Sequence, residues 1–184
     1  MKKSIILLII SIVALCIPMQ AQHMKFMGIP ITGTITQFQS KLTAKGVKYD
    51  KASSQLLPSG VRAYSGTFAG EDAKIYVYYN TTSKVVYEAK AVMSYATESS
   101  RDSKYDDLKS LLLSKYADAQ TGTDYQEGHE AFYFRVFDGF SPLGIISIFC
   151  SENIYAYPLD KQLHISYTDY LNYLDNDDSI MDDL

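Results

Sequence analysis

Gly28 and Gly33, separated by four residues and followed by Thr34, have the spacing of a phosphate-binding loop. Such a loop cradles phosphates on backbone N–H groups, and it needs a lysine after the second glycine to neutralise them. Thr34 stands at that position, and only Lys25-Phe26-Met27 precedes the glycines where a strong apolar strand belongs. The stretch therefore reads as a loop and helix cap, and no nucleotide is expected.

The other chemistry-bearing residues fall short in similar ways. His23, His129 and His164 are far apart, and His129-Glu130 lacks the second histidine, four residues on from the first, that a zincin needs. His164 alternates outward from Leu163 and Ile165 and reads as a solvated surface histidine. Asp175, Asp177 and Asp178 begin like a calcium loop without its glycine or closing glutamate. There is no G-x-S-x-G elbow, and Cys150 sits inside an apolar run with no base nearby in sequence. No metal or cofactor is expected. One catalytic route stays open, because Glu88, Glu127, Glu130 and Glu152 are free to meet in the fold as the paired carboxylates of a hydrolase.

A positive constellation comes from the tyrosines, sixteen in a chain without tryptophan. In the run from Ile75 to Tyr79, alternation puts Ile75, Val77 and Tyr79 on one face of a strand and Tyr76 and Tyr78 on the other. If the registers align, Tyr76, Tyr78, Tyr133 and Arg135 share one sheet face. Tyr with Arg is the composition of protein contact surfaces. Packing of these rings against a loop or the C-terminal helix is the competing use.

These residues must be held by elements whose periods are legible. Ile35, Phe38 and Leu42 predict a helix over about 34–45, capped by Thr32 or Thr34 and ended at Gly46. "VKYD" predicts a short strand and "SSQLLPSG" a turn. "VRAYSGTFAG", "AKIYVYYN" and "KVVYEAKAVMSYA" alternate and predict a three-stranded antiparallel meander. Tyr105, Leu108, Leu112 and Tyr116 predict a second helix over about 102–118, capped by Ser100 or Asp102. After the turn-rich "TGTDYQEGHE" come three more strands, "AFYFRVF", "LGIISIFC" and "LHISY", and then a short helix in "TDYLNYL".

This order predicts an α+β fold: an antiparallel sheet with helices packed on one face, built from two similar helix-plus-meander halves over about 22–97 and 98–175. Residues 176–184 predict an acidic flexible tail. Residues 1–21 read as a signal peptide: Lys2 and Lys3, an apolar stretch from Ile5 to Ile17, and the small Ala21 before a cut. Cys16 offers a second reading as a lipidated residue, although Leu15 precedes it where a lipobox has a small residue. The chain is expected to be secreted or periplasmic, with membrane attachment only if Cys16 is lipidated. Without Lys2 and Lys3 there are 15 basic residues against 21 acidic ones, which argues against nucleic acid and anionic membrane surfaces. Cys150 is then alone, so no internal disulfide is available.

"FMGIPITGTITQFQSKL", "YDDLKSLLLSKY" and "LHISYTDYLNYL" resemble segments of secreted proteins of unassigned function from Gram-negative gut anaerobes. The repeated helix-plus-meander order is similar to that of the β-lactamase inhibitor protein and the outer-membrane assembly lipoprotein SmpA. In the inhibitor family, tandem α/β halves form a curved sheet whose aromatic-rich face grips another protein. The resemblance implies a binding module with Tyr76, Tyr78 and Tyr133 on the gripping face, but this chain lacks the inhibitor's disulfides and tryptophans. Asp178-Ser179-Ile180 resembles the short O-glycosylation signal of such bacteria, which implies modification at Ser179. The expectation is an exported, non-catalytic module recognising a protein or peptide. A small periplasmic hydrolase and a structural component of an envelope assembly are the alternatives.

Overall fold

The computed structural model describes residues 22–153 and 160–174; the expected leader with Cys16 and the acidic tail with Ser179 lie outside the described residues. Two-residue turns shape the described chain from its first strands onward. Strand β1 (Lys25–Phe26) returns as β2 (Ile29–Pro30) through Met27-Gly28, both with positive φ. That is the backbone pattern of a type I′ turn, whose twist matches paired strands. Gly28 thus serves a hairpin.

Thr34 then caps α1 (Ile35–Ala44): its side chain accepts from the Gln37 N–H at 3.4 Å, and Gln37 Oε1 accepts from the Thr34 N–H at 2.9 Å. This reciprocal box satisfies two donors that a helix start leaves open. Ile35, Phe38 and Leu42 are buried, each contributing roughly 1.5–3 kcal/mol of apolar burial. Strand β3 (Lys48–Tyr49) follows, then a single turn, α2 (Lys51–Ser54), absent from the sequence expectation and nucleated by Asp50, which accepts from the Ser53 N–H at 3.0 Å.

The meander is β4 (Val61–Phe68), β5 (Glu71–Tyr79) and β6 (Val86–Tyr95), with Ala69-Gly70 as a second positive-φ pair. Helix α3 (Glu98–Lys115) begins earlier than its apolar period indicates, because Thr97 rather than Ser100 or Asp102 caps it, accepting from the Ser100 N–H at 3.2 Å. The stretch expected as turn is strand β7 (Gln120–Gln126), joined through Glu127-Gly128 to β8 (His129–Asp138). β7 lies at the sheet edge and is largely exposed, so it shows none of the apolar alternation by which a strand is read. β9 (Ser141–Asn153) and β10 (Asp160–Asp169) follow, and a helical turn runs over residues 170–174.

The result is an α+β fold with one eight-stranded antiparallel sheet in the order β3-β4-β5-β6-β10-β9-β8-β7. The earlier part of the chain supplies α1 followed by β3 to β6, the later part α3 followed by β7 to β10. The last strands of the two series, β6 and β10, pair at the centre, with Glu88 opposite Thr168 and Tyr95 opposite Lys161. Helix residues Phe38, Leu42, Leu108 and Leu112 share one core with Ile75, Val77, Ala89, Ala91, Ile146, Ile148 and Ile165 on a single sheet face. No described helix is long and apolar enough to cross a membrane.

A buried carboxylate closes the fold at one end. Asp169, fully buried, accepts from the Met24 N–H at 2.8 Å and the Asn172 N–H at 3.2 Å, and its carboxylate lies 3.1 Å from His23 Nδ1. Asn172 in turn donates to the carbonyls of Ile31 at 2.8 Å and Val86 at 3.0 Å. The segment before β1, the centre of the sheet and the helical turn over residues 170–174 are thereby tied together.

Candidate functional site

Alternation puts Tyr76 and Tyr78 on the sheet face opposite the helices, and the ladder carries that face to Tyr133 and Arg135. One register row runs Tyr76, Lys90, Ser166, Ser147, Tyr133, Gly122 across β5, β6, β10, β9, β8 and β7. The next row runs Tyr78, Glu88, Thr168, Ile145, Arg135. All four residues expected to share a face therefore do so, in two adjacent rows. They do not form one patch, since Tyr76 and Tyr133 lie four strand spacings apart, about 19 Å on a flat sheet.

Each tyrosine has its own surroundings. Tyr133 leans outward over the edge strand: a Cβ added at Gly122 would come within 2.6 Å of its hydroxyl, so glycine gives the ring its room. The Arg135 guanidinium lies 5.9 Å from the Tyr133 ring centre. Tyr78 faces the Lys90 ammonium at 5.6 Å and sits 6.5 Å from Tyr87, which stacks edge-on against Tyr173 of the last helical turn at 5.8 Å. Contact with the C-terminal helix is thus realised for Tyr78, through Tyr87. Tyr76, Tyr78 and Tyr133 are half-buried, and Arg135 is exposed.

Between the aromatic flanks lies a polar centre that no sequence motif announced. Lys90 is buried to 7% exposure, and its ammonium donates to the Glu127 carboxylate, which reaches it from the β7–β8 turn. Burial opposes the charge on Lys90, but the bond to Glu127 and the nearby Tyr78 outweigh it and leave its pKa raised. Glu88 is close by, its pKa raised by burial and held back by Lys90 and by a hydrogen bond from the Thr168 hydroxyl at 3.3 Å. Two of the four glutamates considered for hydrolysis therefore converge. Lys90 neighbours both, however, and takes one of them into an ion pair. Glu152 pairs with Lys161, and Glu130 faces a separate hollow of about 400 Å³ that also contains Cys150.

His164 is buried, not solvated as its alternation had indicated. Its ring stacks on Phe149 at 4.5 Å, and Phe149 stacks on His129 at 6.0 Å, giving a three-ring row across β10, β9 and β8. His164 Nε2 and the Ser151 hydroxyl are 2.7 Å apart. Burial and then the Lys90 charge push its pKa down to about 4, so the ring is neutral at pH 7. Its Nδ1, and the hydroxyl of Ser166 two residues along the same strand, are buried without a hydrogen-bond partner among the described residues.

Burial pushes the Cys150 thiol up, away from nucleophilic character. Among the described residues no three or more His, Cys, Asp or Glu side chains gather to hold a metal ion. Comparison with protein-family models, with curated proteins and with solved structures finds no match to the chain.

Proposed function

We propose that this chain is an exported binding module that recognises a protein or peptide through the sheet face opposite its helices. The observation that carries the reading is the shared row of Tyr76 and Tyr133, two half-exposed rings flanking a polar centre on the sheet face opposite α1 and α3. Such rings bring large contact area at little cost in side-chain entropy. The resemblance to the inhibitor family, whose curved sheet grips a protein through its aromatic face, adds to the reading. Export rests on Lys2 and Lys3, the apolar run behind them and Ala21.

The test is a Tyr76→Ala/Tyr133→Ala double variant, checked for fold by circular dichroism and used as bait against an envelope extract. The bait should lose partners that the unaltered protein retains through washing. Identical captured sets would overturn the reading.

A further inference from the structure

A buried ammonium needs a counter-charge, and on this face Lys90 finds it on the most removable kind of partner. The Glu127 side chain is 56% exposed and stands on a two-residue turn, free to re-enter water, while Lys90 is held at 7% exposure in the middle of the sheet. Leaving Lys90 uncompensated is costly, whereas exchanging one carboxylate for another conserves the charge. Glu88 is a poor substitute, because burial drives it toward its neutral form and Thr168 already donates to it. Directly opposite Lys90 in the ladder is the Ser166 hydroxyl, and one position along the same face of β10 is His164. Both residues are more than nine-tenths buried, and each has a polar atom without a partner among the described residues. Buried polar atoms in folded proteins are nearly always bonded.

We propose that Lys90 is the carboxylate-binding point of this face, and that Glu127 is a built-in stand-in displaced by the C-terminal carboxylate of a bound peptide. The inference rests on the reading of this face as a binding surface and names the chemistry of its partner. A peptide end presents a carboxylate and, one Cα away, an amide N–H. Lys90 and the Ser166 hydroxyl donate to the first, and the neutral His164 ring accepts from the second. Tyr76, beside Lys90 on β5, is placed to meet the terminal side chain.

The experiment uses the whole chain and a Glu127→Ala variant. With the internal carboxylate gone, Tm in sodium chloride should fall by about 3–8 °C, and sodium acetate at the same ionic strength should restore at least half of that loss. Lys90→Met/Glu127→Ala should show no response to acetate. N-acetyl-trialanine with a free C-terminus should bind Glu127→Ala at least tenfold more tightly than the unaltered protein, and its C-terminal amide should bind neither. An unchanged Tm, or acetate no better than chloride, would overturn the proposal. Acetate rescue with equal binding of peptide acid and amide would overturn its peptide assignment. If Glu127→Ala does not fold, Glu127→Gln is used, with acid-specific shifts in the amide NMR signals of residues 90, 164 and 166 as the readout and their absence as the refutation. Because acetate rescue does not involve Tyr76 or Tyr133, its failure is separable from a failure of the tyrosine test.

Discussion

Lys90 of β6 and Glu127 of the β7–β8 turn are bonded although β10, β9 and β8 follow one another in the sheet between them. From β6 to β8 is three strand spacings, about 14 Å on a flat sheet. Glu127 also stands six residues along from Tyr133, the β8 residue in the Lys90 row, roughly 20 Å further in the strand direction, a combined distance no lysine and glutamate span. The sheet must curl toward the face opposite α1 and α3 and the hairpin tip must lean over it.

The pair is asymmetric, and its two halves should respond differently to removal. Glu127→Gln leaves a buried ammonium without its carboxylate and should cost about 1–3 kcal/mol, discounted from a fully buried pair because Glu127 is half exposed. Lys90→Met leaves behind an already exposed carboxylate and should cost under about 1 kcal/mol. Urea unfolding midpoints of the two variants, compared at pH 7, check the order.

His164 gives the protein an acid-sensitive component. Its pKa falls from 6.5 in the unfolded chain to about 4 in the fold, so below pH 6.5 the unfolded state binds the proton first. The contribution is fully present above pH 6.5 and is lost progressively as pH falls toward 4, amounting to roughly 3 kcal/mol in all. Lys90, Glu127 and His129 face this ring, and Glu88, raised by burial, works in the opposite sense as pH rises through the carboxylate range. Denaturant stability measured from pH 7.5 to 4 should therefore fall more steeply for the unaltered protein than for His164→Phe. Parallel curves would remove His164 from the account.

Asp169 holds the segment that leads into β1 as well as the helical turn over residues 170–174. Asp169→Ala should cost about 2–4 kcal/mol, since the backbone donors of Met24 and Asn172 lose a buried acceptor. The first consequence should be local: faster proteolysis within residues 22–31 under conditions where the sheet survives. Limited digestion followed by mass spectrometry reads this directly.

Gly144 has no space for a side chain. A Cβ there would stand 2.0 Å from the Thr168 carbonyl oxygen and 2.6 Å from Met24 Cγ, and the first of these is backbone. Gly144→Ala should lower stability by more than about 3 kcal/mol or prevent folding. The fraction of soluble protein and its thermal midpoint measure the outcome.

How much of this was legible in the sequence depends on whether a residue's environment is set by its chain neighbours. Ile35, Phe38 and Leu42, and the alternation of Ile75 to Tyr79, are local patterns, and the structure uses both as read. β7 was missed because an exposed edge strand has no buried face to impose alternation. His164 was misjudged for a related reason: alternation tells which face of β10 it occupies, not that the face is buried there. Lys90 and Glu127 are 37 residues apart and meet only because the sheet curls, so no spacing rule finds them. Glu88 and Glu127 were noticed as carboxylates free to converge, but the cation between their roles was not.

The central pairing of β6 with β10 has a kinetic consequence. Within the main sheet, β4 to β6 and β7 to β10 are ladders between strands consecutive in sequence, whereas Glu88 must find Thr168 across 80 residues. Loop-closure entropy falls mostly on that one seam, and it shrinks once the intervening strands have already formed. The two meanders can assemble as separate local events, with the seam as the late, rate-setting encounter. Changes at Ala91 or Ile165, which face each other there, should slow folding more than they speed unfolding.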